Sequence, residues 1–113
     1  MSDRIRIEAA DGTFVVRAGG AILGETTSAL RLHEAGHEPV IYFPRGDVAI
    51  ALLEPSETRT TCPWKGEATH YSIQTKSTLI GDAAWSYESP NPGVAAIAGH
   101  LAFYPDKATV EEI

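Results

Sequence analysis

Arg4-Ile5-Arg6-Ile7-Glu8-Ala9-Ala10-Asp11-Gly12-Thr13-Phe14-Val15-Val16-Arg17-Ala18-Gly19-Gly20 is the stretch that decides the fold class. Ile5, Ile7 and Ala9 alternate with Arg4, Arg6 and Glu8, the two-residue period of a strand with one wet face. Asp11-Gly12 suits the positive φ angles of a tight hairpin turn. Residues 13–18 then read as the return strand, and Gly19-Gly20 as a second reversal before residues 21–24. The expectation is a three-stranded meander.

Outward from there the strands continue. Residues 28–36 alternate Leu30 and Leu32 against Arg31 and His33. Ser28 and Gly36 could instead bound a short helix, but two helical turns are marginal without tertiary support, which favours a strand. Residues 39–43, Pro-Val-Ile-Tyr-Phe, fit a strand buried on both faces. Val48, Ile50 and Leu52 alternate over residues 47–53, suggesting another strand that Glu54-Pro55-Ser56 closes. Residues 69–75 and 78–80 look like a hairpin turning at Lys76-Ser77, and Ala83, Trp85 and Tyr87 share a face of the next strand. One short helix is expected at residues 92–98, with Asn91 as its cap, Pro92 at its first position and Gly99 at its end. Residues 100–104 return as strand, and residues 108–113 add an edge. The sum is mainly β: one small domain of about eight short, largely antiparallel strands, a sandwich or a partly open, tent-like barrel.

With 113 residues and 43% hydrophobic content the chain has room for a single domain over residues 1–113. Met1-Ser2-Asp3-Arg4 lacks the apolar stretch of an export signal, and no run approaches a membrane span. The single cysteine excludes an internal disulfide framework, so a reducing, cytoplasmic setting is the simpler expectation. A net charge of −6 argues against a protein that tracks a nucleic-acid backbone.

Four ordered motifs carry a resemblance. Tyr42-Phe43-Pro44-Arg45-x-Asp47-Val48, Cys62-Pro63-x-Lys65-Gly66-x-Ala68, Asp82-x-Ala84-Trp85-x-Tyr87-x-x-Pro90 and Ala102-Phe103-Tyr104 resemble, in sequence and spacing, the domain-of-unknown-function family number 427. The resemblance spans about residues 4–104. It implies a compact β domain, sometimes filed under a nucleotidyltransferase label, and supplies no residue roles. Two-metal phosphoryl chemistry needs closely spaced carboxylates, and no Asp-x-Asp, Asp-x-Glu or Glu-x-Glu pair occurs in the sequence. A Gly-rich phosphate loop is missing as well.

Other motifs weaken on inspection. His33-Glu34-Ala35-Gly36-His37 matches H-E-x-x-H, but zinc ligation by that motif needs a sustained helix, which Gly36 and Pro39 oppose. A dispersed metal site from Cys62, His70, Asp82 and His100 lacks ligand spacing, and His70 alternates with Ser72 and Gln74 on an expected wet face. No metal and no particular cofactor is indicated. Lys65, three residues from Cys62, could lower the thiol pKa, although a free cysteine is more often a small buried hydrophobe.

What stands out is the number of polar-tipped rings and cations: Tyr42, Arg45, Trp64, Lys65, Tyr71, Trp85, Tyr87, His100 and Tyr104. The leading expectation is therefore a domain that binds a planar or anionic small molecule, nucleotide-like ones included. Trp85 and Tyr87 would be stacking walls with Tyr42 beside them, Arg45 and Lys65 anion holders, and Asp82 an acceptor. Were the site catalytic, His100 would carry the proton. One rival is an enzyme with Cys62 as nucleophile and His70 or His100 as base. The other is a ligand-free interaction module, such as a homodimer paired through a strand edge.

Overall fold

The alternation at the start of the chain does build a strand, β1 (Ile5–Ala9), but its partner is not the segment that follows. The computed structural model describes residues 4–113 and holds ten strands in three antiparallel sheets. Met1, Ser2 and Asp3, on which the reading of the N-terminus turned, lie outside the described residues. β1 pairs with β4 (Leu30–Glu34), which pairs with β5 (Val40–Tyr42). β2 (Phe14–Ala18) lies between β3 (Ala21–Thr26) and the C-terminal β10 (Thr109–Glu112). The third sheet runs β6 (Leu53–Cys62), β7 (Gly66–Gln74), β8 (Leu79–Ser86) and β9 (Ala102–Phe103).

The meander expectation is thus half corrected. Gly19-Gly20 makes the β2–β3 hairpin, with φ of 57° and 79°. Asp11-Gly12 instead carries the chain from the first sheet to the second, because Ala10 extends the β1–β4 ladder by donating to the Ala29 carbonyl at 2.9 Å. Residues 28–36 hold strand β4 and no helix. Residues 47–53, read as a strand, form the 3₁₀ turn Ile50–Leu52 after another at Arg45–Asp47. They are pinned to β3: Ala49 N–H donates to the Leu23 carbonyl at 2.6 Å, and Asp47 Oδ2 accepts from the Thr26 hydroxyl at 2.7 Å. Pro55 does not stop β6. This strand lies at the margin of its sheet, where a missing N–H is tolerated, and its pairing with β7 shifts register between Pro55 and Arg59. The helical segment is 3₁₀, Pro92–Ile97, kinked at Val94. Asn91 stands at the N-cap position, its carbonyl accepting from Val94 N–H at 3.0 Å, but its side chain makes no cap; Nδ2 donates to the Pro63 carbonyl at 3.2 Å.

Phe43 and Leu101 exchange backbone hydrogen bonds of 2.8 Å in both directions. That bridge joins the first and third sheets into one curved band, with β1 and β6 as its margins. The margins do not pair, so the band is a partly open barrel. Period-2 alternation sends the two faces of β7 into different cores. Tyr71 and Ile73 pack with Phe14, Val16 and Leu23 of the second sheet outside the curve. Ala68 packs inside it with Leu32, Tyr42, Tyr87 and Ile97. Among the described residues no helix is long and apolar enough to cross a membrane.

Candidate functional site

The inside of the curve is incompletely filled. A hollow of about 170 Å³ is lined by Leu32, Val40, Tyr42, Thr60, Lys65, Ala68, His70, Trp85, Tyr87 and Tyr104. It widens into a mouth of about 520 Å³ between the β4–β5 connection and the β6–β7 turn, the two sharing Leu32, Val40, Lys65 and Trp85 as walls. At its other end, past Thr60, His70 and Tyr104, it meets a cleft bounded by Thr58, Asp82, Asp106 and Lys107.

Rings from distant segments meet here. Trp85 and Tyr42 stand edge to face, centroids 6.3 Å apart at 89°, and the indole Nε1–H donates to the Tyr42 hydroxyl at 3.2 Å. Tyr104 lies 4.6 Å from Trp85 and, nearly parallel at 10°, 6.2 Å from His70. Burial pushes the Tyr87 hydroxyl up to about 12 and raises Tyr42 as well, so both stay protonated near neutral pH.

His70 corrects the sequence reading most sharply. Instead of lying on a wet face it is 3% exposed, because it shares the inward face of β7 with Ala68 and is flanked by Tyr104. Its Nε2 meets the Thr60 hydroxyl at 2.9 Å, while Nδ1 is sealed from water without a hydrogen-bond partner. Burial lowers its pKa, with the carboxylate of Asp82 opposing that shift and Arg59 adding to it, so the ring is neutral at neutral pH.

The cations are committed elsewhere. Lys65 Nζ sits 2.5 Å from Glu34 Oε1, the side chains 12% and 9% exposed, and 5.8 Å over the Tyr87 ring. Arg4 approaches the same carboxylate at 3.8 Å and lies 4.9 Å over Trp64. These contacts tie the end of β4 and the residue before β1 to the β6–β7 turn. Arg45 is outside the hollow, on the opposite face of β8, donating to the Gly99 carbonyl at 3.0 Å and to Glu88 at 2.9 Å. Glu88 also accepts from the Tyr71 hydroxyl. His100 is half-buried nearby, its Nδ1 at 3.2 Å from the Ala98 carbonyl, and it lines no part of the hollow described.

The structure therefore gathers Tyr42, Lys65, Trp85 and Tyr87 and adds His70, which the sequence offered only as a base for the Cys62 rival, Tyr104, noted there only among the polar-tipped rings, and Thr60. Cys62 is half-buried at the mouth, and Asp82 stands at the far cleft. Hydrogen bonds from Ser56 and Thr58 hold the Asp82 carboxyl below its usual range, and its backbone is left-handed at φ 46°. A usable signal for His70 was the apolar Ala68 two residues earlier on the same face. For Tyr104 it was its place at the end of the last motif.

The sequence profile of a family described as a domain of unknown function (DUF427), labelled NTP_transf_9, matches residues 6–113. The chain belongs to this family. No curated protein matches it. The label of DUF427 points to nucleotidyl transfer, which relies on carboxylates gathered around metal ions. Among the described residues no three of His, Cys, Asp and Glu stand close enough to hold an ion between them, so the donor set that chemistry needs is not found there. His33, the first histidine of H-E-x-x-H, is on strand β4 with its Nε2 2.8 Å from Glu8.

Proposed function

We propose that this DUF427 domain binds a small planar molecule, seated in the hollow against Trp85, Tyr104, Tyr42 and Tyr87. One observation carries the reading: four rings and a neutral imidazole converge on a space that a packed core would have filled, and that space continues into a wider mouth. Its volume of 170 Å³ equals roughly five or six waters at about 30 Å³ each, which suits a single ring system with any substituent lying in the mouth. Tyrosine hydroxyls would orient the ligand, and the ring faces would stack on it.

A thermal-shift screen of planar heterocycles tests this. Ligand at a hundredfold excess over its dissociation constant adds about 2.7 kcal/mol to folding stability. With the best compound, Tyr104→Ala should weaken binding roughly tenfold through lost stacking, whereas Tyr104→Phe should stay within about threefold of wild type. A screen with no shifts, or equal binding by all three proteins, would remove the basis for the reading.

A further inference from the structure

We infer that the ligand carries a carbonyl-type oxygen on its ring, which accepts from the Tyr87 hydroxyl, with Tyr42 as a second donor. The inference rests on the ring-binding reading above and narrows it to a chemical class.

The first support is the Tyr87 hydroxyl. Tyr87 is 6% exposed, and among the described residues nothing hydrogen-bonds to its hydroxyl oxygen. Unlike His70 Nδ1, that oxygen is not sealed from water, and the open space that Tyr87 borders is the hollow. Burial holds its proton in place near neutral pH, so the group meets a ligand as an O–H donor. A ring that fills the hollow cuts this hydroxyl off from water. Such a ring must take over the bond or lose affinity.

The second support is what else the hollow offers. The Tyr42 oxygen already accepts from the Trp85 indole N–H at 3.2 Å, which leaves its hydrogen to be given. Burial is the main cause that raises Tyr42, and the Tyr87 phenol adds to it, so the two hydroxyls lie within electrostatic reach of each other. The Thr60 hydroxyl and His70 Nε2 serve each other at 2.9 Å. Lys65, whose ammonium has only hydrogens to offer, is held by Glu34. None of the ten residues lining the hollow carries a carboxylate or carboxamide side chain. The unspent groups are therefore donors, and their complement is an acceptor. A ring carbonyl suits them because its lone pairs lie in the ring plane, which leaves both faces free to stack on Trp85 and Tyr104.

Calorimetric titration of the full chain with oxindole and with indole tests this. The two share a benzo-fused five-membered ring and its N–H, and only oxindole has a carbonyl oxygen. Wild type should bind oxindole roughly tenfold more tightly than indole. Tyr87→Phe keeps the ring and removes the hydroxyl. It should bring the two ligands within about threefold of each other by weakening oxindole, with indole affinity changed less than about threefold. Tyr42→Phe also deprives the Trp85 indole of its acceptor, so there the ratio between the ligands is the readout, and it should fall by about threefold. In the wild type, the Tyr87 Cζ carbon resonance should move further with oxindole than with indole, a readout that needs no variant. Equal binding of the two ligands by wild type, an equal movement of that resonance, or a Tyr87→Phe protein that keeps the preference would overturn the inference while indole binding upholds the ring-binding reading. A ratio unchanged in Tyr42→Phe would remove Tyr42 as the second donor. If neither ligand binds, the ring-binding reading fails and this inference with it.

Discussion

Replacing Lys65 with methionine should cost this small domain a large share of its stability. The substitution keeps the length of the stem but removes the ammonium that sits 2.5 Å from a Glu34 carboxylate only 9% exposed. Breaking one partner of a buried ion pair costs about 3–5 kcal/mol, because the other charge is left in a poor solvent. Here Arg4 remains 3.8 Å from the same carboxylate and offsets part of that. We expect a loss of about 2–3 kcal/mol, hence a melting temperature lower by roughly 8–15 °C for a chain of this size. Lys65→Met combined with Glu34→Leu removes both charges and should return to within about 1 kcal/mol of wild type, since an apolar pair of similar volume substitutes well for a buried ionic one. Urea denaturation of the four proteins in a double-mutant cycle gives the coupling energy, expected above about 1 kcal/mol. A single-mutant loss below about 0.5 kcal/mol, with melting strongly salt-dependent, is the behaviour of a solvated surface pair. That result would refute the claim that this contact ties the β6–β7 turn to β4.

Two further outcomes follow from the geometry. In Gly24→Ala the added methyl would stand 2.7 Å from the Asp47 carbonyl oxygen and 3.3 Å from Val48 Cα, both backbone, so the β3 bridge must shift. A loss of about 1–3 kcal/mol in urea with an unchanged slope is expected, and a neutral substitution would show the approach is slack. For His70, burial holds the folded pKa below its ordinary 6.5, so below about that pH the unfolded chain takes up a proton that the native ring refuses. The native state has this stability in full above 6.5 and loses it as pH falls toward the lowered value. The stability advantage of wild type over His70→Gln should therefore narrow between about pH 7 and pH 5, and a constant difference would refute it.

The sequence reveals strands better than it reveals their partners. Ile5, Ile7 and Ala9 announce a half-wet strand, yet alternation is the same whichever neighbour supplies the hydrogen bonds, so Asp11-Gly12 looked like a hairpin turn when it is a crossing between sheets. Val48, Ile50 and Leu52 failed differently: over so few residues a period of two imitates successive tight turns, and long-range bonds to β3 decided the outcome. At the site, Tyr42, Trp85 and Tyr87 could be picked out because polar-tipped rings are an unusual choice for packing alone. Arg45 could not be excluded from sequence, since its engagement with Gly99 and Glu88 exists only after the chain folds. His70 escaped because Ser72 and Gln74 are half-buried neighbours, and which stretch of a strand's face is roofed depends on what crosses above it.

β6, ten residues long and, among the described residues, unpaired along one side, has a consequence for the chain in crowded solution. A row of open amides is a template on which a second chain could polymerise. Pro55 withholds one donor from that row, the register slip after it spoils the spacing, and Glu54, Glu57 and Arg59 place charge where an incoming strand would have to lie. The features that obscure this strand in the sequence are the same ones that would hinder edge-to-edge pairing of two copies.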